Sequence, residues 1–131
     1  MIIKWSYTTK TTADKIKNAQ TKYGVTLPKD VIKCILENNG GYPSRPYFDT
    51  AETKDCVFEK LLSYNEEDAD NVYVVADYFR ENNQRLYPIA SDPFGNYICI
   101  SDDGIVLYRH ESNDTEYICQ TFSDLLKKLK Q

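Results

Sequence analysis

The chain has 131 residues, of which 41% are hydrophobic and 27% are charged. This composition is typical of one globular domain over residues 1–131 and excludes a disordered or fibrous chain. The formal net charge is −4, and the apolar runs are far shorter than the roughly 20 residues of a membrane-spanning helix, so a membrane partner is not expected.

The chain is predicted to open with two helices. A threonine at position 11 or 12 caps the first helix, and Gly24 ends it because glycine adopts the left-handed conformation at little cost. Pro28 is tolerated in a first turn and begins the second helix, which the Asn-Asn-Gly-Gly sequence at 38–41 stops. The residues expected to face inward are Ile16, Ala19 and Tyr23, then Val31, Ile32, Ile35 and Leu36.

Extended segments and a third helix follow. The prolines in residues 42–48 favour an extended chain, and Cys56 to Tyr64 has the composition of a strand. After a polar loop over residues 65–68, helical spacing of apolar residues predicts a helix. Its buried face would comprise Val72, Val75, Ala76 and Phe79.

The last third is rich in predicted strands. A strand over 86–90 leads through a turn at 92–96 into a strand over 97–100, and Asp103-Gly104 indicates a two-residue hairpin before a strand over 105–108. A strand over 116–119 and a helix capped by Thr121 or Ser123 close the chain, with Phe122, Leu125, Leu126 and Leu129 inward. Hairpin-linked strands between terminal helices predict an α+β fold, with a mainly antiparallel sheet packed by N-terminal and C-terminal helices.

Catalytic and metal-binding patterns are scarce. His110 is the single histidine; it has no accompanying nucleophile or metal-ligand spacing, and anchoring a strand end is the simpler interpretation. No two of the four cysteines lie within ten residues, and the first residues lack a secretory leader, so we expect reduced thiols in a cytoplasmic protein. We predict a protein that is not an enzyme and uses neither cofactor nor metal.

Acidic residues are concentrated in the middle of the chain. Residues 49–116 contain sixteen Asp/Glu against five Lys/Arg, whereas residues 1–48 carry a net charge of +5. This segment would repel nucleic acid and attract a basic protein. Two interpretations stay open: a surface that faces a partner, or side chains that only keep the protein solvated.

Several short motifs carry a family resemblance. They are Leu27-Pro28, Asn39-Gly40-Gly41-Tyr42-Pro43, the segment Pro88 to Ile100 with Asp92-Pro93-Phe94-Gly95-Asn96, the segment Val106 to Glu111, and Thr121 to Leu126. In this order and spacing, over about residues 12–129, the chain resembles the Smi/Knr family of the SUKH superfamily. Two positions depart from the family pattern: residues 18–21 lack the usual acidic residue, and Arg109 replaces an aromatic residue.

The resemblance implies an α+β fold and a role in binding proteins. Bacterial members are regarded as immunity proteins that neutralise toxins exchanged between competing cells, often nucleases or deaminases, and fungal members act as scaffolds in cell-wall signalling. We expect an immunity protein for a basic toxin domain, with the regulatory scaffold as the alternative; homo-oligomerisation stays open.

The candidate partner-binding residues are the acidic and aromatic ones in or near the middle segment. They comprise Tyr42, Glu66, Glu67, Asp68, Asp70, Asp92, Asp102, Asp103, His110 and Glu111. Tyrosines between Tyr64 and Tyr117 are further candidate anchors. The residues expected to maintain the fold are Leu27, Pro28, Gly40, Gly41, Gly95 and Asn96.

Overall fold

The computed structural model describes residues 2–131, which form four helices and nine strands. In chain order the elements are β1 (Trp5–Ser6), α1 (Ala13–Tyr23), α2 (Lys29–Asn38), β2 (Tyr42–Pro43), β3 (Tyr47–Phe48), β4 (Cys56–Val57), β5 (Lys60–Leu61), α3 (Val72–Glu81), β6 (Tyr87–Ser91), β7 (Tyr97–Ser101), β8 (Gly104–Arg109), β9 (Asp114–Cys119) and α4 (Phe122–Lys128). None of these helices is both long and apolar enough to cross a bilayer.

The main sheet has five antiparallel strands in the order β5-β6-β7-β8-β9. Tight turns join β6 to β9 in succession, so neighbours along the chain are neighbours in the sheet. Two small antiparallel ribbons, β1 with β2 and β3 with β4, accompany it. The predicted α+β fold with a mainly antiparallel sheet is therefore confirmed.

The two faces of the sheet are covered differently. Tyr97 and Tyr108 are cross-strand partners and point to the same face, where Phe79 of α3 packs on both, with ring centroids 6.3 and 5.0 Å away. Arg109 follows Tyr108 and therefore points to the opposite face, where its guanidinium lies 3.0 Å from Glu116. On that side, Thr50 in the loop after β3 hydrogen-bonds Glu116.

The helix boundaries follow from local capping, as predicted. The Thr12 side chain accepts a hydrogen bond from the Lys15 amide at the start of α1, and Gly24 ends α1 with φ +65°. Pro28 precedes α2, next to the buried Leu27. Thr121 caps α4 by accepting a hydrogen bond from the Asp124 amide.

Two glycines of the predicted structural set have backbones that disfavour other residues. Gly40 has φ +70° and Gly95 has φ +85°. Gly41 is constrained by space instead, because a Cβ there would lie 2.8 Å from the Asn38 carbonyl oxygen. Asn96 is buried in the β6–β7 turn, where its side-chain oxygen accepts a hydrogen bond from the His110 amide.

Three predictions about the elements were wrong in detail, and one short strand was not predicted. The strand expected over residues 56–64 is divided into β4 and β5, which belong to different sheets. Leu36 is 41% exposed, whereas the neighbouring Cys34 is buried. The β7–β8 turn consists of Asp102 and Asp103, since Gly104 already pairs with Ser101 in the ladder. Strand β1 was not predicted, because two residues carry no periodic signal.

Candidate protein-binding surface

The structure places the candidate partner-binding residues in three separate regions. Four of them lie in the loop before α3, and Lys60 links one of these, Asp70, to the fifth, which is in β2: Glu66, Glu67, Asp68, Asp70 and Tyr42. Asp102 and Asp103 form the β7–β8 turn, and Asp92, His110 and Glu111 lie in the turns at the other end of the same strands. Five residues of strand separate those two ends by roughly 15 Å, so the acidic middle segment does not form one continuous face.

The first region is an exposed patch that we call the tyrosine–acid surface. It consists of Tyr7, Tyr42, Lys60, Glu66, Glu67, Asp68 and Asp70. The rings of Tyr7 and Tyr42 pack edge to face, with centroids 5.8 Å apart. Tyr7 is 85% exposed and Tyr42 is 37% exposed, so both rings remain accessible from solvent.

Lys60 connects the aromatic and acidic halves of this surface. Its ammonium nitrogen lies 5.2 Å from the ring centroid of Tyr42 and 3.2 Å from a carboxylate oxygen of Asp70. A ring face and a carboxylate both attract a cation, so the ammonium is held between them. The surface already accommodates one positive group in this way.

Asp68 fixes the loop that carries the acidic residues. One of its carboxylate oxygens accepts hydrogen bonds from the side chains of Ser63, Asn65 and Thr9. The pKa of Asp68 is lowered, and the hydrogen bond from Ser63 is the main cause. Partial burial acts in the opposite direction. The carboxylate is therefore largely used within the protein, which leaves Glu66, Glu67 and Asp70 as the more exposed acids.

Glu66 and Glu67 also line a cleft of about 390 Å³, together with Lys15 and Lys22 of α1. Tyr73 lines the same cleft, and burial first, and then the two glutamates, raise the pKa of its hydroxyl. The two glutamates therefore share this cleft with two basic side chains.

The second and third regions contain fewer available carboxylates. Asp102 is exposed and lies 3.4 Å from the guanidinium of Arg85. At the other end of the sheet His110 is exposed, its Nε2 is 3.0 Å from the Phe94 carbonyl oxygen, and Glu111 beside it is exposed as well. An exposed Phe94 side chain completes this end.

Asp92 does not belong to the exposed set. It is 8% exposed, and its carboxylate accepts hydrogen bonds from the amides of Phe94 and Asn96 and from the Asn96 side chain, at 2.8, 2.8 and 3.0 Å. A short acidic side chain before a turn commonly binds the backbone that follows it. Asp92 therefore shapes the turn that contains Gly95, and its carboxylate is not exposed for contact with a partner.

Most tyrosines of the middle segment are structural. Tyr64, Tyr87 and Tyr108 are buried, and the hydroxyls of the first two hydrogen-bond each other at 2.6 Å. Tyr78 and Tyr117 remain exposed. Tyr7 is the most exposed tyrosine; it precedes the acidic middle segment, so the candidate anchors between Tyr64 and Tyr117 did not include it.

Burial makes two of the thiols poor nucleophiles. All four cysteines are free and buried, and burial raises the pKa values of Cys34 and Cys119 to about 11, which keeps these two protonated and weakly nucleophilic. Within residues 2–131, no three His, Cys, Asp or Glu side chains are grouped to hold a metal ion.

The two departures from the family pattern have local structural roles. The Gln20 side chain accepts a hydrogen bond of 2.7 Å from the Leu27 amide and so ties α1 to the start of α2. The Arg109 guanidinium pairs with Glu116, which lies 14% exposed beside the loop after β3. Each residue thus stabilises the fold at its position.

Four helices packed with a five-stranded antiparallel sheet define a small α+β protein of the SUKH type. The profile of the SMI1/KNR4 family (SUKH-1) matches residues 10–128, and the chain belongs to this family. The family is generally non-catalytic. No curated protein matches the sequence.

Proposed function

We propose that this protein is an immunity protein, which binds a toxin domain with a basic surface and blocks its active site. The observation that carries the proposal is the tyrosine–acid surface, where Lys60 links Tyr42 to the exposed Asp70 and the exposed Glu66 and Glu67 lie in the same loop as Asp70. Membership of the SMI1/KNR4 family supports it, because bacterial members are regarded as toxin-neutralising proteins.

The electrostatics of such a complex follow from the partner's own chemistry. A toxin that cuts nucleic acid needs a basic groove for the phosphates. The carboxylates of an inhibitor can occupy that groove, and opposite charges speed the encounter. Tyrosine is common at interface hot spots because it has a large rigid ring with a polar tip. The proposed site of action is the cytoplasm of the producing cell.

A growth assay tests neutralisation. The toxin module encoded beside this gene is produced in bacteria with or without the protein, and we expect growth only when the protein is present. Binding without protection would contradict neutralisation and favour a regulatory scaffold. The absence of any toxin gene beside this one would count against immunity.

Charge reversal tests the surface. We expect the double substitution Glu66→Lys and Glu67→Lys to weaken toxin binding roughly tenfold or more, because two attractive contacts become repulsive. The matched control is Asp102→Lys with Asp103→Lys, which changes the net charge equally but in the β7–β8 turn. Equal losses from both pairs, in titration calorimetry at constant salt, would show that only net charge matters.

A further inference from the structure

Tyr7 has a backbone conformation that its side chain disfavours. Its φ is +58°, in the left-handed region, where a bulky residue is an outlier because the Cβ crowds the following carbonyl. The ring is 85% exposed, so burial of the ring contributes little to folding. Glycine would adopt this conformation freely. The fold by itself therefore gives no reason for a tyrosine here.

The chain around Tyr7 holds the ring in a defined place. Ser6 pairs with Tyr42 in the β1–β2 ribbon, and the Thr9 amide donates a hydrogen bond of 2.9 Å to the Asn39 carbonyl oxygen. The ring rests edge to face on Tyr42. A ring already fixed before binding loses little conformational entropy when a partner contacts it.

We propose that Tyr7 is the anchor by which the tyrosine–acid surface holds a guanidinium or ammonium group of a basic protein partner. This inference rests on the proposed function and adds which chemical group of the partner is bound. Lys60 provides the precedent, since its ammonium lies between the Tyr42 ring and the Asp70 carboxylate. Tyr7 offers a second, more exposed ring in contact with Tyr42, and Thr9, two residues further on, donates a hydrogen bond to the Asp68 carboxylate. A cation over the Tyr7 ring would gain from the ring quadrupole.

Replacing Tyr7 by glycine should relieve the backbone strain but remove the ring that binds the cation. Stability and peptide binding should therefore not fall together in this variant. The probe is a deca-arginine peptide titrated into the full-length protein and followed by two-dimensional NMR. We expect the largest amide shifts at Tyr7, Tyr42 and residues 66–70. Tyr7→Gly should weaken peptide binding roughly threefold and leave the melting temperature unchanged or higher, whereas Tyr7→Phe should bind like the wild type.

Phe94→Ala is the matched control, because Phe94 is another exposed ring, 70% accessible, in a separate region of the surface. It should leave peptide binding unchanged. Wild-type affinity of Tyr7→Gly, a lowered melting temperature of that variant, or shifts centred on residues 94–111 would each overturn the anchor. If Glu66→Lys with Glu67→Lys weakens toxin binding as expected while Tyr7→Gly does not affect it, the anchor is wrong and the proposed function stands.

Discussion

Asn39 connects three separate stretches of chain through one buried amide. Its side-chain nitrogen donates hydrogen bonds to the hydroxyls of Thr9 and Ser63, at 3.0 and 2.9 Å, and its oxygen accepts one of 2.9 Å from the Tyr64 amide. The residue is completely buried, so water cannot replace these partners if they are lost. Asn39 thereby places the segment before β2 and the loop before α3 side by side.

We predict that Asn39→Ala lowers the free energy of unfolding by about 3 kcal/mol, because two buried groups, the Ser63 hydroxyl and the Tyr64 amide, lose this partner and the hydrogen bond to Thr9 is lost as well. Urea unfolding followed by circular dichroism measures this. Asn38→Ala is the control: its side chain makes only a weak 3.9 Å contact with the Cys34 sulfur, and it should cost about 0.5 kcal/mol or less. Similar losses in the two variants would contradict the role of the Asn39 amide.

The short connection between α2 and β2 leads directly into Tyr42 of the tyrosine–acid surface. Gly41 lies in it, and its carbonyl oxygen accepts a hydrogen bond of 2.9 Å from the Leu61 amide in β5. A Cβ at Gly41 would approach the Asn38 carbonyl oxygen to 2.8 Å and the Thr8 methyl to 2.9 Å. The Thr8 side chain is exposed and can rotate, but the Asn38 carbonyl belongs to the backbone of α2, so it cannot retreat without disturbing that helix.

Gly41→Ala should therefore destabilise the protein by about 2 kcal/mol or more, through overpacking. Gly24→Ala, at a glycine with φ +65° and open space around it, should cost about 1 kcal/mol from backbone strain alone. Thermal unfolding of both variants gives the comparison. A larger loss at Gly24 would show that the α2–β2 connection relaxes more easily than its packing indicates.

At the scale of the whole molecule, ion pairs join distant parts of the chain. Lys130, after α4, lies 3.0 Å from Asp49 and 3.6 Å from Asp55, and so holds the loop after β3 against the C-terminal segment. The Asp55 amide and the Lys130 ammonium both donate to Asp49 and lower the pKa of its carboxyl. Since the pKa is lower in the folded state, the pairing stabilises the protein above about pH 4 and is lost as the pH falls through the folded value.

Lys130→Met should consequently reduce the urea midpoint at pH 7, while the difference from the wild type shrinks toward zero as the pH is lowered to 2.5. The reason is that protonated Asp49 no longer attracts the ammonium. The measurement is a series of urea titrations between these pH values. A difference that stays constant with pH would mean that the lysine acts through packing of its aliphatic chain.

The amino-acid sequence by itself determined the four helices and the consecutive strands β6 to β9. Helix ends depend on local chemistry, such as the threonine caps at 12 and 121 and the left-handed Gly24, and these need no knowledge of distant residues. Hairpins between consecutive strands are local as well, which is why the antiparallel sheet could be predicted. The family followed from short motifs in a fixed order, and the profile match over residues 10–128 confirms it.

Only the tertiary structure decided which charges and rings share a surface. Asp92 and Asp70 look alike in the sequence, yet one shapes a buried turn and the other is exposed beside Lys60. Tyr7 is distant in sequence from the acidic segment and reaches it because β1 pairs with β2 and β2 lies against β5. Side-chain neighbours across a fold depend on contacts between distant residues, and neither composition nor periodicity contains that information.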